Sequence, residues 1–442
     1  MGSKEFDIVI FGATSFVGQI LSRYFVNDCN EPDLKWALAG RSQNKLRELK
    51  SDLGHQANAV PIFVADSFDE IALKNLCART SLVISTVGPY ALYGDTLLRV
   101  CAQSGTDYCD LTGEPHWIRR MMSSYEEDAK RSGARIVNSC GFDSIPSDLG
   151  VKFLQNKAFE KFGTRCDKVR LRVKGIRGSA SGGTIASGAN TFQQAAKDHE
   201  LRRELKDPYS LCPQGHRNMV RQDEINVVYD KEFKSWVGPF VMAAINTRIV
   251  LRSNAISNSP YAEQFRYDEG WLTGDGGKGQ KRAKRLLRYL RAATVLISIT
   301  PIRVFFTRFV LPRPGDGPSL DEQISGFYDF RLLGRTSHGD EIRVKVMGDR
   351  DPGYGSTAKM LGQAGISLVK DISKEFLFPL ITVDSVDLLI IGTGDSPKFL
   401  TPKQQIDLSN IGLGVECMNN TSACSSFNLL LGDLRKVGLL LI

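Results

Sequence analysis

Histidine is scarce and cysteine is scattered in this chain: five and nine residues among 442, with no C-x-x-C pair and no Cys/His cluster at metal-ligand spacing. That excludes structural zinc, so no metal is expected, and it argues for a reducing compartment. Long apolar runs are missing too. Ala292 to Ile302 is uncharged, but eleven helical residues reach only about 16 Å, against roughly 30 Å of bilayer hydrocarbon. No transmembrane span is expected there. The surrounding stretch lacks acid altogether: Lys281 to Arg313 holds nine Lys or Arg and no Asp or Glu. It suits a basic amphipathic segment on an anionic membrane, a lid over a greasy substrate, or a solvated helix followed by a core helix. Overall the charge excess is small, 57 basic against 49 acidic residues, and no motif that reads RNA or DNA accompanies it. No nucleic-acid partner is expected. The opening MGSKEFD has neither a signal peptide's apolar core nor a presequence's basic face, and Phe6 stands where a myristoylation motif needs Ser or Thr.

What is present begins at once. Ile8, Val9, Ile10 and Phe11 form a β-branched and aromatic run that stops at Gly12, and a helix then starts near Phe16 with apolar Val17, Ile20, Leu21 and Phe25. Strand, tight turn and helix make the first unit of a dinucleotide-binding fold. Gly12 lets the chain reverse, and Gly18 lets the helix sit close to the strand. Gly12, Ala13, Thr14, Ser15, Phe16, Val17 and Gly18 are therefore the expected pyrophosphate cradle, aided by the free amides of the helix start. Ser15 occupies the middle glycine position and adds a Cβ where backbone should approach phosphate. A second buried strand, Lys35 to Ala39, runs into Gly40-Arg41-Ser42. A carboxylate there would bind both ribose hydroxyls. Arg41 and Ser42 instead suit a 2′-phosphate, so the expected cofactor is NADP(H).

Further strands read as Val60–Asp66, Leu82–Thr86, Asp107–Asp110 and Arg135–Ser139, with helices near 42–53, 68–78, 94–104 and 116–132. This predicts an α/β fold, a Rossmann-type doubly wound parallel sheet over residues 1–140, with its ligand crevice at the carboxyl ends of the strands. Asp66 closes the third strand, where it either reaches the adenine edge or caps the next helix. Val87, Gly88 and Pro89 form a turn at the nicotinamide end, which places Tyr90 and Tyr93 near the reaction unless they are simply packed aromatics. From Cys140 the pattern changes to longer strands, Lys168–Lys174 and Phe327–Leu333, which implies an α+β substrate and oligomerisation domain over 141–375 and a homodimer as the expected assembly. Within it Ser181-Gly182-Gly183-Thr184 opens a helix, either as an anion or carbonyl site or as a plain turn.

GATSFVG, AGRS, STVGPYALYG, DYCDLTGE, GFDSIPSDLG, SGGT and LPRPGDGP followed by DPGYGSTAKMLGQA occur in the order seen in saccharopine dehydrogenase-like oxidoreductases. The resemblance runs from Phe6 to about Lys370 and is nearest the trans-acting enoyl reductases that serve polyketide-lipid synthases. It implies an NADP(H)-dependent oxidoreductase acting on a lipid-like or acyl substrate. From Asp384 the chain instead resembles the second half of assembly factor 3 of NADH:ubiquinone oxidoreductase, through Gly392-Thr393-Gly394, Gly414-Val415-Glu416 and Thr421 to Asn428. Both families are truncated where they meet. The 384–442 segment either completes a sheet with the reductase or marks a fusion, and the double truncation favours fusion. Its resemblance brings in a mitochondrial location, as the basic segment brings in a membrane or lipid-droplet surface.

Reducing a C=C or C=N bond requires a donor that polarises the acceptor and a proton source. Tyr90, Tyr93, Asp110, Glu114 and Asp143 are the candidates, the carboxyls provided that burial raises their pKa. No tyrosine has lysine four residues on, so the Tyr/Lys pair of short-chain dehydrogenases is absent. Cys140 is an alternative nucleophile of the aldehyde-dehydrogenase kind. Two other readings stand beside the reductase: a non-catalytic NADPH-binding protein, and a mitochondrial complex I assembly scaffold acting through 384–442.

Overall fold

The computed structural model describes residues 4–29, 31–178, 182–213, 220–223, 225–257, 261–262, 264–298, 317–371, 388–392, 414–418, 422 and 437–441. The first half alternates strand and helix: β1 (Phe6–Phe11), α1 (Phe16–Asn27), β2 (Trp36–Gly40), α2 (Gln43–Asp52), β3 (Ile62–Val64), α3 (Glu70–Arg79) and β4 (Thr80–Ser85). It continues with α4 (Tyr90–Tyr93), α5 (Asp95–Ser104), β5 (Asp107–Asp110), α6 (Pro115–Ser132) and β6 (Ile136–Val137). The strands pair in the order β3-β2-β1-β4-β5-β6, every pair parallel. This is the doubly wound sheet that the sequence implies. Its order reverses between β1 and β4, where such sheets open a crevice.

Alternation within β1 explains why the strand is apolar throughout. Ile8 and Ile10 face one layer with Leu21, Leu38 and Ile84, while Val9 and Phe11 face the other with Val83 and Leu97. Phe11 is in register with Ala39 on one side and Ser85 on the other, and Ser85 with Asp110. The turns after β1, β2, β4 and β5 therefore leave the sheet side by side.

The next stretch comprises α7 (Ile145–Phe162), β7 (Lys168–Arg177), α8 (Gly182–Lys197), α9 (His199–Glu204), β8 (Val228–Asp230), β9 (Ser235–Pro239), α10 (Ala243–Ile256), β10 (Arg266–Gly274) and α11 (Gly276–Ser298). It ends with α12 (Leu320–Ile324), β11 (Phe327–Arg335), β12 (Glu341–Gly348) and α13 (Thr357–Ile366). Its strands form a mixed sheet ordered β12-β11-β7-β10-β9-β8, against which α7 and α10 pack. β7 outruns its apolar core because its ladder with β11 continues to the pair Arg177 and Phe327, and β11 outruns its own at the pair Arg335 and Lys168. Inside this sheet Arg172 is buried and is held by Asp230, Nε to Oδ2 2.8 Å, and by Asp268.

The last helix before residue 370 does not stay with the mixed sheet. α13 leaves the mixed sheet and covers the parallel one, where Ala358, Leu361 and Ile366 join Ile8, Ile10 and Ile84. Its glycines permit the approach: a Cβ on Gly365 would lie 2.6 Å from Ile84, and one on Gly362 3.0 Å from Tyr24. Residues 4–29 and 33–370 accordingly form one compact unit. The second unit holds 371–442 with 30–32. In it β13 (Leu388–Gly392), β14 (Gly414–Met418) and β15 (Val437–Leu441) make a parallel sheet ordered β14-β13-β15. Among the described residues these strands pair with one another. The helix expected after Thr421 and the segment 299–316 lie outside the described residues. Among those described, no helix is long and apolar enough to cross a membrane.

Within the first unit, one buried ion pair ties its last turn to the parallel sheet. Arg135 donates from its backbone N to Asp107 Oδ1 at 2.8 Å, from Nε to Oδ2 at 2.9 Å, and also to the Leu368 carbonyl. Both side chains are almost fully enclosed. Removing one partner strands a buried charge. Arg135→Ala is expected to lower unfolding free energy by about 3–5 kcal/mol, and Arg135→Met with Asp107→Leu to recover most of it, both read by urea denaturation.

Candidate active site

The turn after β1 is built around Gly12, at φ +82°, a conformation in which L side chains are strained. A Cβ there would also lie 2.5 Å from Val87 Cγ2 and 2.8 Å from Thr86 Oγ1. Thr86 Oγ1 donates to the Gly12 carbonyl at 2.9 Å and shares a hydrogen bond with Ser15 Oγ, also at 2.9 Å, so the β4 end clamps the turn. Gly12 and Ala13 donate their amides to the Ala39 carbonyl. Ser15, at the middle glycine position, takes an ordinary backbone conformation. Its backbone is extended, at φ −68° and ψ 160°, and its Oγ accepts from Gly18 N at 3.0 Å as the N-cap of α1. Nothing at that position requires glycine.

Gly18 does require it, since a Cβ would sit 2.3 Å from the Gly12 carbonyl oxygen. With Gly18 N capped, the amides of Phe16 and Val17 are the first-turn donors that no helical carbonyl can reach. A positive-φ turn packed too tightly for side chains, facing bare amides at a helix start, fits a dinucleotide pyrophosphate. Thr14 Oγ1 stands beside Gly40, 3.8 Å from where a Cβ on that glycine would be. The Phe16 ring meets Tyr354 edge-on, with centroids 4.7 Å apart.

Along the same edge Arg41 is exposed just beyond β2, and no ion pair to a described residue engages it. Ser42 caps α2, accepting from Lys45 N at 3.4 Å. Asp66 shapes its own turn, with Oδ1 accepting from Phe68 N at 3.0 Å, while the cap of α3 is Asp69. The helix-capping alternative for Asp66 is therefore corrected by three residues.

Past β4 the chain runs through Val87, Gly88 and Pro89, the last two joined by a cis peptide. Tyr90 then opens α4, and Glu114 caps it from another strand's loop: Oε1 accepts from Tyr90 N at 2.8 Å and Oε2 from Ala91 N at 3.1 Å. Ser187 on α8 bonds the same carboxylate, and its Oγ would be 3.9 Å from a Cβ on Gly88. The helix opened by the SGGT motif thus closes over the Gly88 turn. Ser181 itself lies outside the described residues. Burial raises the Glu114 pKa, against these hydrogen bonds.

Tyr90 is buried with its hydroxyl donating to the Ser85 carbonyl at 2.9 Å, and burial drives its pKa well above the ordinary phenol value. Asp110 is enclosed as well. It accepts from Tyr108 Oη at 3.0 Å, Thr112 N at 3.0 Å, Asn138 Nδ2 at 2.8 Å and Ser139 N at 3.0 Å, while burial pushes it up to about 6. Tyr90, Asp110 and Glu114 are thus committed to holding loops. Tyr93, half-buried, packs edge-on against Phe68 at 5.8 Å.

Asp143 differs. It is half-buried in the loop before α7, and among the described residues no hydrogen bond reaches its carboxyl. Desolvation first, then the negative charge of Asp110, pushes it up to about 7. Asp110, Glu114 and Asp143 all bear on the Tyr90 phenol, so the four form one cluster at the crevice.

The nucleophile reading of Cys140 is not sustained. Its side chain is buried among Ile8, Ile10 and Cys109 in the core, with Sγ donating to the Val137 carbonyl at 3.5 Å. Four residues that the sequence reading did not single out belong to the site: Thr86, Ser187, Tyr354 and Thr357. Thr357 Oγ1 accepts from Phe142 N at 3.0 Å and so steadies the loop that carries Asp143. Their signal lay inside STVGPY, the SGGT helix and DPGYGST, but nothing local told that these segments converge.

Comparison with known proteins agrees with this geometry. Residues 8–137 match the saccharopine dehydrogenase NADP binding domain, and 341–442 match a protein family of unknown function (DUF498/DUF598). The second match accords with the tail's resemblance to the assembly factor, though Glu341 to Lys370 lie structurally in the first unit. A Mycobacterium tuberculosis protein provisionally assigned as a trans-acting enoyl reductase is 36% identical over 389 residues, covering 84% of this chain and 90% of its own. The trans-acting enoyl reductases of Mycobacterium bovis and Mycobacterium ulcerans are 35% and 33% identical, each over 83% of this chain and 90% of theirs. Among solved structures, the apo saccharopine dehydrogenase of Saccharomyces cerevisiae aligns with 83% of this chain and 91% of its own at 12% identity. Its TM-score of 0.41 is too low to carry an argument. With a matching NADP-binding domain and a relative 36% identical over 84% of the chain, the protein belongs to the saccharopine dehydrogenase-like NADP(H)-dependent oxidoreductases, in the family of the trans-acting enoyl reductases.

Proposed function

We propose that this oxidoreductase reduces a C=C or C=N bond of a lipid-like or acyl substrate, with Asp143 as the proton donor. The observation that carries the reading is the placement of Asp143: a half-buried carboxyl grouped with Tyr90, Asp110 and Glu114 that no described residue hydrogen-bonds. The enoyl class is favoured by the names of the mycobacterial relatives, which designate a double bond next to an acyl carbonyl. When bound, NADPH supplies a hydride. The chain's residues do the rest. The Phe16 and Val17 amides hold the pyrophosphate, and Arg41 binds the 2′-phosphate with its planar fork. The Gly88 turn, stiffened by Glu114 and covered by Ser187, borders the reacting end. Asp143 holds a proton below about pH 7 and gives it to the atom left electron-rich by hydride addition, the α-carbon of an enoyl group or the nitrogen of an imine. Its partial exposure allows it to be reprotonated from water.

Two measurements test this reading. In fluorescence titrations the protein should prefer NADPH over NADH, and Arg41→Asp should weaken NADPH binding by about ten- to a hundredfold through loss of a charge-assisted contact. Equal wild-type affinities would count against Arg41. With trans-2-enoyl thioesters and, separately, cyclic imines as acceptors, NADPH consumption shows which bond is reduced. Because the acid form of Asp143 is present below about 7 and lost above it, kcat should fall as pH rises through that value. Asp143→Asn should lower kcat by about 10²–10⁴ and abolish that limb while leaving NADPH affinity intact. An unchanged rate would assign the proton elsewhere, and tight NADPH binding without turnover on either acceptor would favour a non-catalytic binder.

A further inference from the structure

Helix α11 carries a feature that neither cofactor binding nor reduction uses. Lys281, Arg282, Lys284, Arg285, Arg288 and Arg291 are all exposed, while Ala283 is buried and Leu286, Leu287 and Leu290 are half-buried. The helix therefore lies on β9 and β10 by one face and turns a cationic face outward over about 15 Å. No acidic residue occurs in α11, and none of these six cations makes an ion pair with a described residue. The nearest carboxylate in sequence, Asp275, is already engaged by Tyr229 Oη at 3.0 Å and by Gly276 N. Clustered like charges repel one another, and with no carboxylate partner among the described residues they suit an external anion.

Beside the cations lies apolar surface. Trp271, Leu272 and Leu286 line an open groove of about 470 Å³ with Arg282 at its rim, and Tyr289 is 67% exposed among the basic residues. A guanidinium beside a groove walled by Trp and Leu, with an exposed tyrosine one helical turn on, matches an interface of anionic headgroups over acyl chains. A nucleic acid would use the charge but not the groove. Nor does the groove belong to the cofactor crevice, which lies at the carboxyl edge of the other sheet.

We propose that the cationic face of α11 and the adjoining Trp271–Leu286 groove form a docking site for an anionic phospholipid bilayer surface. This rests on α11 alone and is independent of the reductase mechanism. It also meets the chemistry of an acyl substrate, which partitions into the same surface.

The test is co-sedimentation of the full chain with vesicles of phosphatidylcholine alone and of phosphatidylcholine containing about 20% phosphatidylserine. Binding should be confined to the anionic vesicles and be largely lost near 0.5 M salt, about the concentration at which screening shortens to a few ångströms. The variant Lys284→Glu/Arg288→Glu/Arg291→Glu changes exposed side chains that make no ion pair with a described residue, so NADPH binding and thermal melting should not change. Its vesicle binding should fall by about tenfold or more. Trp271→Ala should weaken vesicle binding without altering its salt dependence. Equal binding to both vesicle types, or no loss in the triple variant, overturns the proposal. So does retention on heparin or RNA without vesicle binding, which would make α11 a general polyanion site.

Discussion

The structure depends on the contact between the ends of β1 and β4. Gly12 turns the chain at positive φ directly against Thr86 and Val87, and Thr86 fixes Ser15, which caps α1. Four backbone decisions are thereby coupled: where β1 stops, where α1 starts, how closely α1 lies on the sheet, and which amides are left over. Only glycine satisfies the two steric limits at 12 and 18, whereas position 15 is extended and accepts serine. The anion site follows from strand and helix geometry and requires no dedicated charged side chain.

A second layer of order comes from buried carboxylates used as scaffolding. Glu114 caps α4 across elements, Asp110 gathers Tyr108, Thr112, Asn138 and Ser139, and Asp107 holds Arg135. Each sits at the start or end of β5 or just beyond it, so one short strand organises the reaction side of the crevice. Asp143 stands among these groups without being consumed by them. Its electrostatic setting is a by-product of the scaffold: Asp110 must be enclosed to hold the β5–β6 loops, and its charge then raises the neighbouring carboxyl.

Much of this was legible in the sequence, and the limits have physical causes. β5 was read with the same ends it shows, Asp107 to Asp110, because its neighbours are clear turn and helix signals. β6 was read too long at Arg135–Ser139. Asp110 draws Asn138 and Ser139 out of the ladder, and Ser139 takes φ +62°. The turn from Gly12 to Gly18 and the place of Arg41 just past β2 were readable since each is set by residues close in sequence. Which hydroxyls and carboxyls meet was not, because partners lie up to a hundred residues away, as Ser187 does from Glu114 and Gly88. The return of α13 to the first sheet was equally hidden. Its small residues, Gly362 and Gly365, show close packing but not against which sheet.

The central claim is that the Phe16 and Val17 amides receive the cofactor's pyrophosphate. Hydrogen exchange at these two amides, followed with and without saturating NADPH, tests it most directly. The account predicts marked slowing at both, with little change at the Gly18 amide, which Ser15 already holds. Exchange at Phe16 and Val17 that is indifferent to NADPH would contradict it.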